Sequence, residues 1–181
     1  MELPEHQLSM TVLMTPDTAN FSGNVHGGTI LKWLDQVAYA CASRYAGRYV
    51  VTLSVDQVMF KEPVFVGELL NFLACVNYTG RSSMEVGIRA EAENICTRKS
   101  RHVVSCFFTM VAMDEERCPV PVPPLVPQSD EERRRFQCAL ARRQLRHAQL
   151  DIEMARPPAW VGCTPSPDEV GLDAGMVYCA S

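Results

Sequence analysis

Nowhere in these 181 residues is there an apolar run long enough to span a bilayer, and Met1-Glu2-Leu3-Pro4-Glu5 lacks the basic, then apolar start of a secretory signal. The sequence therefore points to a cytoplasmic protein without a membrane span. Basic residues are not in excess either. The 17 Lys and Arg stand against 21 Asp and Glu, a formal net charge of -4, which disfavours nucleic acid as a partner. Among the eight cysteines no pair is spaced C-x-x-C, which leaves a zinc site without support. Nor do they read as a disulfide framework. Cys41 falls in a helix pattern, Cys75, Cys96 and Cys106 in or beside strand patterns, and Cys118, Cys138, Cys163 and Cys179 are scattered. Buried free thiols in a reducing compartment are expected.

What remains is an ordinary globular composition, 47% hydrophobic and 21% charged, sufficient for one domain with terminal extensions. Leu8 to Met14 reads as a strand, followed by a loop through Pro16, Asn20 and Gly23. Gly28 to Tyr45 carries Ile30, Leu34, Val37 and Cys41 at helical spacing, broadened by Leu31, Ala38 and Ala42, and Gly47 ends it. Four strand patterns follow: Tyr49 to Phe60, Glu68 to Tyr78, Ser83 to Glu93 and Arg101 to Met113. The third alternates cleanly, with Glu85, Arg89, Glu91 and Glu93 on the face expected to meet water. One long helix among consecutive strands implies an α+β fold with an antiparallel sheet wrapped around a central helix. After the proline-rich Cys118 to Pro127, Ser129 and Glu132 form a capping box for a charged helix ending near Gln149. The domain is therefore expected to occupy residues 1–150, and 151–181, rich in Pro and Gly, to be a disordered tail.

The stretch "SGNVHGGTILKWLDQVAYA" raises the functional question. Two glycines opening a helix leave backbone N–H groups that a ligand oxygen can approach, aided by the helix dipole, which is the physics of an oxyanion hole. Asn24 can orient a water or a carbonyl, and Asp35 can act as base or nucleophile. The bland alternatives are a tight helix entry at Gly27 and Gly28, a loop histidine at His26, a turn cap at Asn24 and an exposed flank residue at Asp35. Gly27 and Asp35 lie about 12 Å apart along one helix. That is too far for one carbonyl, so a site using both is expected to be shared between two copies.

"GNVHGGTILKWLDQVA" together with "TGRSSMEVGIRAEAEN" resembles the hotdog-fold cytosolic acyl-CoA thioester hydrolases, both the YciA-type and the brain-type enzymes. The resemblance covers about residues 8 to 150, including "PVPPLVPQSDEERRRF". It implies hydrolysis of acyl-CoA to free acid and coenzyme A, with Asn24 and Asp35 catalytic and the oxyanion at Gly27 and Gly28. His26 joins these in the substrate-binding set, and Arg81, Ser82 and Ser83 approach the coenzyme A moiety. No separate cofactor or metal is implied, coenzyme A being part of the substrate. A homodimer, or a trimer of dimers, is the implied assembly. Two other readings stand beside this one: a non-enzymatic acyl-CoA-binding hotdog protein, and a hotdog dehydratase using His26 as base. The basic helix face (Arg133, Arg134, Arg135, Arg142, Arg143, Arg146) is read as solvated rather than phosphate-binding, and Asp56 as a structural partner.

Overall fold

The computed structural model describes residues 3–155. Strands β1 (Gln7–Leu13), β2 (Val50–Phe60), β3 (Glu68–Thr79), β4 (Ser83–Asn94) and β5 (Ser100–Ala112) form one antiparallel sheet in the order β1-β3-β4-β5-β2. Helix α1 (Gly27–Ala46) lies on one face and touches all five strands. The α+β hotdog architecture expected from the sequence is the one observed.

The central helix is buried because its apolar stripe meets the inward residues of every strand. Ile30, Leu34, Val37, Ala38, Cys41 and Ala42 pack with Leu70, Phe72, Val86, Ala90, Val104, Phe108 and Met110 in one continuous core. His26 caps the start of α1, its Nδ1 accepting from the Gly28 N–H at 2.9 Å. At the other end Gly47 takes the left-handed conformation (φ 62°), and its N–H closes on the Ser43 carbonyl at 2.9 Å.

Helix α2 (Asp130–Ala155) covers the opposite face and corrects several expectations. It runs to Ala155 rather than stopping near Gln149. The boundary set at residue 150 therefore falls inside a helix, and the rest of the expected tail lies outside the described residues. Its arginines are not simply solvated. Arg142 forks onto Glu85 (Nη2–Oε1 2.6 Å, Nε–Oε2 3.0 Å) and stacks on Phe107, 3.6 Å from the ring centroid. Arg146 binds Asp56 (Nε–Oδ2 3.0 Å), which gives Asp56 the structural role expected of it. Arg133, Arg134 and Arg135 pair with Asp130 and Glu131 of their own helix. Glu85, expected in water, is only 4% exposed because α2 lies over it. The thiols also divide: Cys41, Cys75 and Cys106 are buried, while Cys96, Cys118 and Cys138 are exposed. Among the described residues no helix is long and apolar enough to cross a membrane.

Candidate active site

The segment entering α1 is a small hydrogen-bonded structure. The Asn20 N–H donates to the Asn24 carbonyl (2.6 Å), and the Asn20 carboxamide oxygen accepts from the N–H groups of Ser22 (2.9 Å) and Asn24 (3.2 Å). With its oxygen engaged twice, the Asn20 side chain presents its NH2 as the remaining polar group. Asn24 and Asn20 are both half-buried. The segment is stitched to the loop between β2 and β3, with the Val25 N–H on the Val64 carbonyl (2.8 Å) and a bridge between Asn24 and Phe65.

Two open N–H groups were expected at the glycines. That of Gly28 is donated to His26, so the histidine serves as a helix cap. No described residue accepts from Gly27, and a Cβ there would stand 3.7 Å from the Phe60 ring. The helix start thus offers one donor beside an exposed aromatic ring.

Asp35 belongs to a different surface. The sequence sets it among core residues, but it is exposed in the single chain, because the core stripe of α1 turns away from it. Its helical neighbours one turn away, Leu31 and Tyr39, are 40% and 43% exposed, so the carboxylate stands on an uncovered apolar strip. One group fixes it: the Thr52 hydroxyl of β2 donates to Oδ1 at 2.7 Å. The sequence reading missed Thr52, since a threonine in a Val-rich strand carries no signal of its own.

The candidate residues separate into two groups within one chain. Asn20, Asn24, His26 and Gly27 gather at the start of α1, near Phe60 and Phe65. Asp35 and Thr52 lie further along, where Thr52 pairs with Met110 and Met110 with Met84, next to Ser83. Arg81 and Ser82 lie in the β3–β4 connection and Ser83 opens β4; the Arg81 and Ser82 carbonyls accept from Val122 and Ala112, both at 2.9 Å, and Arg81 is exposed.

Another nucleophile is suggested by His102, whose Nε2 lies 2.8 Å from the Ser105 hydroxyl. Lys61 Nζ sits 3.3 Å from His102 Nδ1. An ammonium can only donate, so Nδ1 accepts, and Nε2 carries the proton towards Ser105 and the Val104 carbonyl (3.1 Å). That tautomer cannot deprotonate the serine. Among the described residues no three His, Cys, Asp or Glu side chains come together as metal ligands.

Comparison with known proteins gives a consistent result. The thioesterase superfamily model matches residues 22–97. Protein VdlD of Helicobacter pylori is 49% identical over 140 residues, covering 77% of this chain and 80% of its own. A hexameric acyl-CoA thioesterase is 37% identical with a TM-score of 0.78, over 81% of this chain and 94% of its own. An acyl-CoA hydrolase from Staphylococcus aureus, solved with butyryl coenzyme A and coenzyme A, is 30% identical with a TM-score of 0.75, over 83% and 94%. That hydrolase has also been solved with alanine replacing an asparagine, an aspartate or a threonine; the asparagine precedes the aspartate by fifteen positions and the threonine follows it by seventeen.

Proposed function

The chain belongs to the thioesterase superfamily, and on that premise we propose that it hydrolyses acyl-CoA thioesters to the free acid and coenzyme A. The observation that carries the reading is the Asp35 carboxylate, oriented by Thr52 on an otherwise apolar exposed strip. Spacing supports it. Counting from Asp35, Asn20 stands fifteen positions before and Thr52 seventeen after, the same intervals as the residues replaced in the Staphylococcus aureus hydrolase. We therefore assign the catalytic carboxamide to Asn20 rather than to Asn24, whose backbone carbonyl and N–H help to orient it.

In this mechanism the thioester carbonyl oxygen accepts from the Asn20 NH2 and the Gly27 N–H, which stabilise the oxyanion as it forms. Asp35 takes a proton from water as that water attacks the carbonyl carbon. Alternatively, Asp35 attacks directly and water hydrolyses the resulting anhydride. In either route the carbon–sulfur bond breaks and the coenzyme A thiolate leaves, so no metal is required. Because Gly27 and Asp35 stand about 12 Å apart along α1, each site takes the carboxamide and Gly27 from one copy and Asp35 with Thr52 from a second. Arg81, Ser82 and Ser83, at the Asp35 end of the sheet, are then positioned to meet the coenzyme A portion.

Asp35→Asn is nearly isosteric and tests the reading directly. Thiol release from acyl-CoA should fall at least ~10²-fold in kcat with the melting temperature preserved. Wild-type turnover in that variant would exclude Asp35. A wild-type protein that binds acyl-CoA without continuous thiol release would establish a binding protein instead.

A further inference from the structure

A part-buried ion pair braces the β2–β3 loop, against which the carboxamide segment of the proposed site is built. Glu68, at the first position of β3, is only 6% exposed. Arg101 of β5 donates to both its oxygens, at 2.6 and 2.8 Å, and its Nη2 also reaches the Pro63 carbonyl at 2.7 Å. The same guanidinium sits 5.2 Å from the Phe65 ring centroid and 3.3 Å from a Glu62 carboxylate oxygen. The Glu68 Oε2 also accepts from the Phe65 N–H at 2.9 Å. Every one of these contacts falls on the loop from Lys61 to Gly67, or on the residue that ends it.

That loop is the surface on which the carboxamide segment is built. Val64 accepts from the Val25 N–H, and Phe65 forms the bridge with Asn24. Asn24 in turn exchanges hydrogen bonds with Asn20, its carbonyl taking the Asn20 N–H and its N–H feeding the Asn20 carboxamide oxygen. From guanidinium to carboxamide the path consists of hydrogen bonds and covalent backbone only. We propose that Arg101 and Glu68 are positioning residues for the reaction: they lock the β2–β3 loop so that the Asn20 NH2 is aimed at the reacting carbonyl. This rests on the thioester-hydrolase reading with Asn20 as its carboxamide.

The reason a charged pair suits this task is geometric. The planar guanidinium makes three directed bonds at once, two to one carboxylate and one to a loop carbonyl, which tie the loop to one position on β5. An ammonium keeps the charge and loses the fork. Displacing a transition-state donor by a fraction of an ångström weakens it where charge develops and alters ground-state binding little.

Arg101→Lys is therefore the informative variant, with Glu68→Gln as the second should the first not fold. Arg101→Lys should lower kcat by roughly ten-fold or more while KM stays within about two-fold, with circular dichroism unchanged. Asn20→Ala should lower kcat by roughly 10²-fold. The decisive measurement is the double variant. If Arg101 acts through Asn20, adding Arg101→Lys to Asn20→Ala should change kcat by less than about two-fold. Multiplying losses in the double variant, or wild-type kcat in a folded Arg101→Lys or Glu68→Gln protein, would overturn the proposal while leaving the hydrolase reading intact. Full activity in Asn20→Ala would remove Asn20 from the site and the coupling with it, and an absence of thiol release in the wild type would instead overturn the hydrolase reading on which both depend.

Discussion

The Thr52 hydroxyl is the only described side chain bonded to the Asp35 carboxylate, so it decides how that acid is presented. Thr52→Val keeps the shape of the side chain and removes the donor. Turnover should fall by about ten-fold, with a stability change below about 1 kcal/mol, because an exposed hydrogen bond contributes little net stability. Parallel melting and thiol-release measurements check both halves. Glu68 shows the opposite balance. Burial alone would raise the pKa of its carboxyl, but the bonds from Arg101 and the Phe65 N–H outweigh burial and hold it below the usual value. A carboxyl whose folded pKa is depressed contributes stability that is complete above the unfolded value, about 4.3, and is lost as pH falls through the folded one. Acid unfolding of the wild type should therefore steepen below about pH 4.3. Glu68→Gln, measured by denaturant titration at successive pH values, should be less stable at neutral pH and should lose less than the wild type on acidification.

At the scale of elements, α2 is fastened by charge where the sequence pattern suggested open water. It crosses one row of paired residues on the outer face, Gln7–Cys75–Gly87–Phe107–Asp56, which runs from one edge of the sheet to the other. Gly87 is closely confined in that row. A Cβ there would stand 3.2 Å from the Phe107 ring and would collide with the Asn77 amide, so Gly87→Ala should cost about 1–3 kcal/mol. The Arg142–Glu85 pair is the costlier one to break. With Glu85 buried, Arg142→Ala leaves an uncompensated charge and should destabilise the protein by about 3–5 kcal/mol, whereas Arg142→Ala combined with Glu85→Gln should recover part of that loss in chemical denaturation. Burial also pushes the Cys41 and Cys106 thiols up to about 12. Among the described cysteines, a thiol reagent at neutral pH should mark Cys96, Cys118 and Cys138 first, as read by peptide mass.

For the whole molecule the question is how the two halves of the proposed site meet. Edge strand β2 carries exposed Leu53, Val55, Met59 and Phe60, and α1 adds Leu31 and Tyr39 beside Asp35. This apolar surface adjoins both groups of candidate residues, which suits pairing of two copies. Asn20→Ala and Asp35→Asn proteins should each be nearly inactive. Co-refolded in equal amounts, about half of the dimers should be mixed, each holding one intact site, so activity should return to roughly a quarter of wild type. Mixed dimers confirmed by native mass but without recovery would refute the shared site.

The sequence alone determined the order of elements, the central helix and the acid on it. Those features are local: a 3.6-residue apolar period, strand alternation, and glycines at both ends of one helix. It could not tell which side of α1 Asp35 occupies, since Leu31 and Tyr39 are apolar whether they face a core or an uncovered surface. It drew attention to Asn24 because that residue adjoins the glycines; Asn20 entered the proposal through its spacing from Asp35 and a carboxamide that accepts from Ser22 and Asn24. The tertiary structure alone brought together Thr52 with Asp35, Arg142 with Glu85, and Arg101 with Glu68, partners 17, 57 and 33 residues apart. Contacts at such separations depend on strand order and register, and no local pattern in the chain encodes them.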